Sequence, residues 1–369
     1  MARVTGNLPE GMTREPVKAW VGCGVSAAAR ARFCFCDIHA GWMKITKVNA
    51  FALPDATVLR IETDSGLRGY GECRRLVARD VTLLRQAATG ADPSAYEVLR
   101  TKLTDSPNAQ AALNMAMLDV LGKQAKTPIH SLLGGATRHK VRLLTPLTNL
   151  AAQIQAGERA FIVPLTVAKG SRFNLVSRTV EQLSKLRAQG GENIDFVLDG
   201  QGKLSPAEAG NLSAALETFH LLWFDEPCPI ANLAAVRKLA RENVTPLGFG
   251  RTVSTPAGVP DLFREQAIDV LRLDIRLHGI SQIRRLAVLA ETYYAAVAPF
   301  NDGGPIASAA AIQLAASMPN FVIQQVGALS SAIVSGLPTP RDGFIPLPTA
   351  PGLGITINDS ALERFPEAA

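Results

Sequence analysis

Two carboxylates and one guanidinium stand at the ends of three short apolar segments of this chain. They are Asp199, Asp225 and Arg251, and the two intervals between them are equal at 26 residues (225 − 199 and 251 − 225). Each segment adjoins glycine or proline and leads into a helical pattern, which is typical of successive strands in a β/α barrel. Because such strands bring their last side chains to one shared mouth, the spacing predicts that these three charges lie close together.

The chemistry of these groups leaves two alternatives for the mouth. Two carboxylates suit a hard divalent cation. A guanidinium cannot coordinate that cation, because it is always charged and has no lone pair to donate. Arg251 would instead pair with Asp199, Asp225 or the neighbouring Glu226 and compete with a cation. We expect the arginine to take the place of such a cation and to close a salt-bridged cluster.

The segments around these residues alternate between strand and helix patterns, which predicts βαβ units and a parallel barrel. Helical stretches separate most of the strands, and the first and fifth of them, Ala151–Ala160 and Val259–Glu265, are unusually short. We predict eight strands: Val141–Thr145, Phe161–Val167, Asp195–Asp199, Leu221–Asp225, Leu247–Arg251, Val270–Asp274, Ala295–Pro299 and Phe321–Gln325.

The part of the chain before the barrel has a different pattern. Three alternating segments between Lys44 and Glu72 predict a small antiparallel sheet, and helical periodicity follows over Ala78–Leu103 and Asn108–Gln124. We therefore predict an α+β domain over residues 43–140 and a barrel over 141–330. The Pro- and Gly-rich segment 331–369 is expected to return to the α+β domain.

Composition narrows the class of protein. The 369 residues are 47% hydrophobic and 19% charged, and no run of apolar residues is long enough to span a membrane. The net charge of +6 favours an anionic small molecule over nucleic acid, because Lys and Arg are scattered along the chain. Five cysteines are too few for a disulfide framework, so a reducing cytoplasm is the expected location.

The first 42 residues lack periodicity, and we predict either a disordered extension or sequence upstream of a true start at Met43. Cys23, Cys34, Cys36 and His39 fall in this part of the chain. They could in principle bind zinc, but no second Cys/His pair follows at finger spacing, which favours a structural interpretation.

The order and spacing of several passages resemble the enolase superfamily, specifically its mandelate racemase and muconate lactonizing branch. The resemblance covers the chain from Met43 to about Phe365. The passages are MKITKV (43–48), ETDSGLRGYGE (62–72), MLDVLGK (117–123), LLGG (132–135), WFDEP (223–227), APFNDGGP (298–305) and DGFIPLPTAPGLG (342–354).

This resemblance implies a capping α+β domain over a modified TIM barrel, and a homo-oligomer. It also implies that Mg²⁺ binds the carboxylate of a hydroxy acid or sugar acid while a base removes the α-proton. The metal and nearby cations would stabilise the enediolate that this step creates. Members go on to racemise, eliminate water or open and close lactones, with specificity set by cap loops such as Glu72–Arg79.

Residue by residue, the resemblance places Asp199 and Asp225 at the first two metal ligands, with Glu226 supporting the second. Arg251 stands where the family has Glu or Asp, so one ligand is replaced by a positive charge. Asp274 matches the acid that orients a catalytic histidine, but Phe300 occupies the histidine position. Without that histidine, we expect Asp274 to be solvated or to form an ion pair with Arg276 or Arg272.

Several residues could compensate for the missing base. In the second strand the usual lysine is absent, and Lys169 lies just beyond it. Asp302 is the best spare acid or base, and Asn301 and Phe300 are expected at the mouth as substrate contacts. His278 is either a replacement base or, as we expect, a surface loop histidine. The helix that opens at Pro305 could receive an anion at its N-terminus.

Two functions follow from these assignments. One is a lyase or isomerase, of the acid-sugar dehydratase or racemase type, with an unorthodox base and with Asp199, Asp225 and Glu226 around Mg²⁺. The alternative is a catalytically impaired homologue in which Arg251 replaces the metal and the protein binds a carboxylate ligand or a partner.

Overall fold

The computed structural model describes residues 43–166 and 174–368. The predictions made for residues 1–42, including the cysteine and histidine group, and for Lys169 lie outside these residues. All statements below concern the described part of the chain.

An antiparallel sheet and three helices form the N-terminal domain. The sheet order is β1 (Ile45–Ala52), β2 (Thr57–Thr63), β3 (Arg68–Cys73). The helices are α1 (Ala78–Ala88), α2 (Tyr96–Lys102) and α3 (Pro107–Gln124). The single helix predicted over 78–103 is wrong, because the chain turns at Gly90, whose φ of +81° is the left-handed conformation that ends helices.

Strand β3 lies directly on α3. A Cβ atom at Gly69 or Gly71 would come within 2.1 or 2.0 Å of a backbone carbonyl oxygen of α3, so only glycine permits this contact. The close packing fixes the end of β3, from which Glu72 and Arg74 extend towards the barrel.

The eight predicted barrel strands are confirmed, although several are shorter than expected. They are β4 (Lys140–Pro146), β5 (Ala160–Pro164), β6 (Asp195–Asp199), β7 (Trp223–Asp225), β8 (Leu247–Phe249), β9 (Val270–Leu271), β10 (Ala296–Val297) and β11 (Gln324–Gln325). Neighbours pair in parallel in the order β11-β4-β5-β6-β7-β8-β9-β10. A further parallel bridge, Val297 to Phe321, joins β10 to the segment before β11 and completes the ring.

Helices alternate with these strands as the sequence predicts. Their bounds are α4 (Ile129–Leu132), α5 (Leu150–Gln155), α6 (Leu175–Gly190), α7 (Pro206–Leu216), α8 (Leu233–Glu242), α9 (Val259–Arg264), α10 (Ile275–Thr292), α11 (Pro305–Ser317) and α12 (Asp359–Leu362). Every residue of α11 is buried, because this Ala-rich helix packs between the barrel and the N-terminal domain. None of the helices that the structure describes has both the length and the apolar character needed to cross a membrane.

The C-terminal segment runs back along both parts of the molecule. It adds β13 (Phe344–Pro346) to β4, and β12 (Val334–Ser335) pairs with β14 (Thr356–Ile357). Near its end, the amide of Ala52 donates to the carbonyl of Pro366 at 2.8 Å, and the amide of Ala368 donates to that of Ala50 at 2.7 Å. The last residues thereby extend the edge of the N-terminal sheet.

Asp359 anchors this segment to the N-terminal sheet. Its carboxylate accepts hydrogen bonds from the Tyr70 hydroxyl at 2.8 Å, from Arg60 at 3.0 Å and from Arg68 at 2.8 Å. Burial alone would raise the pKa of Asp359, but these hydrogen bonds outweigh burial and hold the pKa below its usual value.

The Asp359 anchor makes stability depend on pH. Because the folded pKa is lowered, the stabilisation is complete above the unfolded pKa of about 3.9 and is lost as pH falls through the folded pKa. We expect Asp359→Asn to lower the free energy of unfolding by about 1–2 kcal/mol at neutral pH, and the difference to vanish near pH 2.

Urea denaturation from pH 7 to pH 2 measures this effect. Asp342→Asn is the matched control, because the Asp342 side chain is 86% exposed and its pair with Arg159 is long at 3.4 Å. A difference between wild type and Asp359→Asn that stays constant over this pH range would contradict the interpretation.

Candidate functional site

Strands β6, β7 and β8 end at one edge of the barrel and carry the three charges predicted to meet there. Asp199 and Asp225 are directly paired in the parallel register of β6 and β7. Arg251 follows β8, which pairs with β7 through Gly248 and Asp225. The equal sequence spacing thus corresponds to neighbouring strands, and the predicted cluster is present.

Arg251 binds both carboxylates. Its two terminal nitrogens donate to the two oxygens of Asp199, at 3.0 and 2.5 Å, in a bidentate ion pair. Its Nε lies 3.3 Å from Oδ2 of Asp225. Burial alone would lower the pKa of Arg251, but the charges of Asp225 and Asp199 outweigh burial and raise it. The guanidinium is therefore a permanent cation between the two strand ends.

A second arginine lies beneath the first. Arg272 is completely buried, and its Nε donates to Asp225 at 3.0 Å while its Nη2 donates to Gln325 at 2.6 Å. The indole of Trp223 donates to the same carboxylate at 2.9 Å. From the sequence, Arg272 is expected only as a partner for Asp274. The missed signal is strand alternation, which places residues 270, 272 and 274 on one face.

Phe300 packs against both guanidinium groups. Its ring centre lies 5.2 Å from Cζ of Arg251 and 5.9 Å from Cζ of Arg272, within the range of cation–π contacts. The ring occupies the strand end where the resemblance implies a histidine. It adds apolar packing and a favourable surface for cations, and it cannot accept the α-proton.

The carboxylate of Glu226 faces the turn that follows β8. One of its oxygens accepts from the amides of Gly250 and Arg251, each at 2.8 Å, and its other oxygen accepts from the Thr252 hydroxyl at 3.4 Å. Burial, followed by the charge of Asp225, raises the pKa of Glu226. The side chain braces the turn that carries Arg251.

The residues present do not fit Mg²⁺. All six oxygens of Asp199, Asp225 and Glu226 lie against donors of the chain, and the ligand expected from the residue after β8 is a cation. In residues 43–166 and 174–368, no group of three His, Cys, Asp or Glu side chains could hold a metal ion. A divalent cation would have to displace Arg251 from Asp199.

Asp274 forms an ion pair with the N-terminal domain rather than a hydrogen bond with a histidine. It is 1% exposed and caps α10 by accepting from the Arg276 amide at 2.9 Å. Its other oxygen accepts from Nε and Nη2 of Arg74 at 3.0 and 2.7 Å. The expected ion pair is present, but its partner is Arg74 from the cap loop rather than the side chain of Arg276 or Arg272.

Asp302 and Asn301 are neighbours in the sequence but differ in exposure and in their hydrogen-bond partners. Asp302 is about half exposed; its carboxylate accepts a hydrogen bond from Arg276 and lies 3.5 Å from Arg74. Asn301 is completely buried. Its side-chain nitrogen donates a hydrogen bond to the Ser308 hydroxyl at 3.0 Å, and its side-chain oxygen accepts one from the backbone amide of Gly303 at 2.9 Å. The structure therefore does not bring Asn301 to the mouth, because α11 uses its amide group.

The predicted anion site at the start of α11 is taken by the chain itself. Glu72, at the end of β3, accepts hydrogen bonds from the amides of Gly304 and Ala307, at 2.5 and 3.2 Å. Its carboxylate thus occupies the positive end of the helix dipole. Burial raises the pKa of Glu72 despite these contacts.

His278 is buried, so its placement in a surface loop is wrong. Only 5% of the residue is exposed, and its Nε2 lies 2.9 Å from the carbonyl oxygen of Val253. Burial lowers the pKa of His278, which favours the neutral ring. The neighbouring Gly279 has a φ of +68°, which interrupts α10, and it packs against Asn114 of α3. The contact of His278 with Val253 favours a structural role.

Two family models together match most of the chain. The N-terminal domain of mandelate racemase / muconate lactonizing enzyme matches residues 48–134, and the enolase C-terminal domain-like model matches residues 148–361. This chain belongs to the enolase superfamily. It is a member of the mandelate racemase and muconate lactonizing enzyme branch, as the sequence predicts, and its fold is the superfamily's capped barrel.

Individual relatives are distant but cover nearly the whole chain. A D-galactonate dehydratase of Verminephrobacter eiseniae is 28% identical over 87% of this chain and 94% of its own length. A D-xylonate dehydratase of Haloferax volcanii is 26% identical over 83% and 84%.

Among solved structures, one similar protein is a putative galactarate dehydratase of Agrobacterium radiobacter, described as bound to Na and L-malate. It has a TM-score of 0.80 and 25% identity, over 87% of this chain and 95% of that one. The enzyme class predicted from the resemblance, dehydratase or racemase type, is confirmed at the level of this family.

The buried Arg272–Asp225 pair makes a prediction for stability. Arg272→Met leaves Asp225 and Gln325 without their buried partner, and we expect it to lower the free energy of unfolding by about 3–5 kcal/mol. Arg264→Met is the control, since the Arg264 side chain is 66% exposed and pairs only at the surface. Denaturant titration measures both, and equal effects of the two substitutions would contradict the role of Arg272.

Proposed function

We propose that this member of the superfamily binds the carboxylate of a hydroxy acid or sugar acid at the barrel mouth without Mg²⁺, using Arg251. The single observation that carries the proposal is the bidentate Arg251–Asp199 ion pair, extended to Asp225 at a ligand position. The acid-sugar substrate class is supported by the names of the relatives, which are dehydratases of D-galactonate and D-xylonate.

Charge balance supports this substitution. A carboxylate ligand and a divalent cation together add one positive charge to a site, and a single arginine adds the same charge. Exchanging the expected acid and its metal ion for Arg251 therefore leaves the net charge of the cluster unchanged. Because this charge is spread over a planar group that cannot coordinate oxygen, it would stabilise an enediolate less than Mg²⁺ would.

The geometry leaves donors for a ligand. Each terminal nitrogen of a guanidinium carries two N–H groups, and Asp199 uses one on each nitrogen of Arg251. The Arg251 side chain keeps 15% of its surface exposed, and we propose that its remaining donors face the mouth. Phe300 packs beside the same guanidinium and holds it in place.

For catalysis, we propose Asp302 as the base, because it is the most exposed of the acids assigned to the site. Its pairing with Arg276 weakens it as a base. In the dehydration of a 2,3-dihydroxy acid, Asp302 would take the α-proton and return it to the 3-hydroxyl, which leaves as water, and the resulting enol would tautomerise to a 2-keto acid.

The second candidate function is carboxylate binding without turnover. It is favoured by the ion pairs that engage both Asp274 and Asp302, and by Phe300 at the position of the missing base. A cytoplasmic location and a homo-oligomer, both expected from sequence, stay predictions.

Calorimetric titration with D-galactonate and with L-malate tests the metal-free site. We expect the dissociation constant in EDTA to equal that in millimolar Mg²⁺ within about twofold, and Arg251→Lys to weaken binding at least about tenfold, because lysine lacks the planar fork. The surface substitution Arg264→Lys is the matched control. Binding that appears only with Mg²⁺ would contradict the proposal.

Proton NMR of the same acids in D₂O then separates the two candidate functions. Loss of the α-proton signal, abolished by Asp302→Asn, identifies a dehydratase or racemase reaction. Binding with no exchange identifies the carboxylate-binding protein.

A further inference from the structure

A cavity of about 450 Å³ lies on the outer wall of the barrel, and its size is usual for small-molecule sites. Its walls are formed by β4, the turn after α5, the segment that follows β11 and the C-terminal segment 340–343. The apolar part of its lining consists of Leu143, Pro146, Ala156, Val326, Leu329 and Pro340.

Strand alternation separates this cavity from the barrel mouth. Leu144 belongs to an apolar cluster with members on or beside seven barrel strands, among them Val197 and Trp223, and only the barrel interior can bring these together. Leu143 and Thr145 point to the opposite face of β4, because successive side chains of a strand alternate. None of the described residues assigned to the site at the mouth lines the cavity.

Two opposite charges line the cavity and form no ion pair with each other. Oε2 of Glu158 accepts hydrogen bonds from the Thr145 hydroxyl at 2.6 Å and from the Gln153 side-chain amide at 2.7 Å. Its Oε1 accepts none from the described residues. The Arg341 side chain is exposed, and its guanidinium has no hydrogen-bond or ion-pair partner within the described part of the chain.

The C-terminal segment brings these two charges near each other. A Cβ atom at Gly157 would lie 3.4 Å from the amide nitrogen of Asp342, so the two segments are in contact there. Glu158 follows Gly157 and Arg341 precedes Asp342, and both side chains line the same cavity. One small molecule can therefore reach both charges.

The two charges decide which ligand fits. An anion in the cavity would displace water from Glu158 without pairing it, and a cation would do the same to Arg341. A molecule that carries both an ammonium group and a carboxylate pairs both side chains through charge-assisted hydrogen bonds.

We propose that this cavity binds a free α-amino acid with an apolar side chain. Its ammonium group would pair with Glu158 and its carboxylate with Arg341, while its side chain would pack on Leu143 and Val326. The proposal does not depend on the function proposed for the barrel mouth.

L-leucine is a suitable probe, because two analogues of similar shape each lack one of its charges. 4-Methylpentanoate has no ammonium group, and 3-methylbutylamine has no carboxylate. Titrations followed by saturation-transfer NMR should give a dissociation constant near or below about 1 mM for L-leucine and at least about fivefold weaker binding of both analogues.

Two charge variants test the assigned contacts. Arg341→Met should weaken L-leucine at least about fivefold and leave 3-methylbutylamine unchanged, whereas the surface control Arg264→Met should alter neither. Glu158→Gln keeps an oxygen acceptor for Thr145 and Gln153 but removes the charge. It should weaken L-leucine at least about fivefold without weakening 4-methylpentanoate.

A third variant locates the site. Ala156→Trp places a large side chain at the exposed rim of the cavity and should weaken L-leucine at least about fivefold. Ala151→Trp, which is exposed on α5 outside the cavity lining, is the matched control and should leave binding unchanged.

Four results would overturn the proposal. They are no binding of L-leucine to the wild-type protein at about 10 mM, equal affinity for L-leucine and 4-methylpentanoate, unchanged binding by Ala156→Trp, and displacement of L-leucine by saturating D-galactonate. The last result would place the amino acid at the barrel mouth.

Discussion

Two carboxylates buried side by side at the end of a barrel need compensating positive charge, and this requirement organises the site. Asp199 is 8% exposed and Asp225 is fully buried, on adjacent strands in direct register. Isolated carboxylates in such a place would be protonated or would destabilise the fold. Here Arg251 covers them from the mouth and Arg272 supports Asp225 from inside the barrel.

The pairing of two arginines with two buried carboxylates accounts for the residues that surround them. Phe300 is compatible with the site because its ring packs on both guanidinium groups, whereas a protonated imidazole there would repel them. Glu226 holds the turn at Gly250 and Arg251. The contacts between the N-terminal domain and the barrel use the remaining acids, since Arg74 pairs with Asp274 and Glu72 caps α11.

The sequence was sufficient for the architecture and for the centre of the site. Strand and helix periods are local patterns, so all eight barrel strands were predicted near their true positions. Asp199, Asp225 and Arg251 were brought together by equal spacing, which depends only on regular βαβ repeats. The split of the 78–103 helix was missed because helical periodicity continues across the turn at Gly90.

Pairings between distant parts of the chain were beyond the reach of these patterns. Arg74 and Asp274 are 200 residues apart, and Glu72 and Gly304 are 232 apart. No local period specifies such contacts, which arise when the N-terminal domain packs on the barrel. His278 was misplaced for the same reason, since it is buried in contact with the Val253 carbonyl, 25 residues away in the chain.

Calorimetric titration of Mg²⁺ into the wild-type protein and into Arg251→Glu tests the central claim most directly. If Arg251 replaces the metal ion, the wild type gives no binding heat at millimolar Mg²⁺ and the variant, which restores an acidic ligand beside Asp199 and Asp225, does. Mg²⁺ binding by the wild-type protein, or no gain of affinity in Arg251→Glu, would contradict the account.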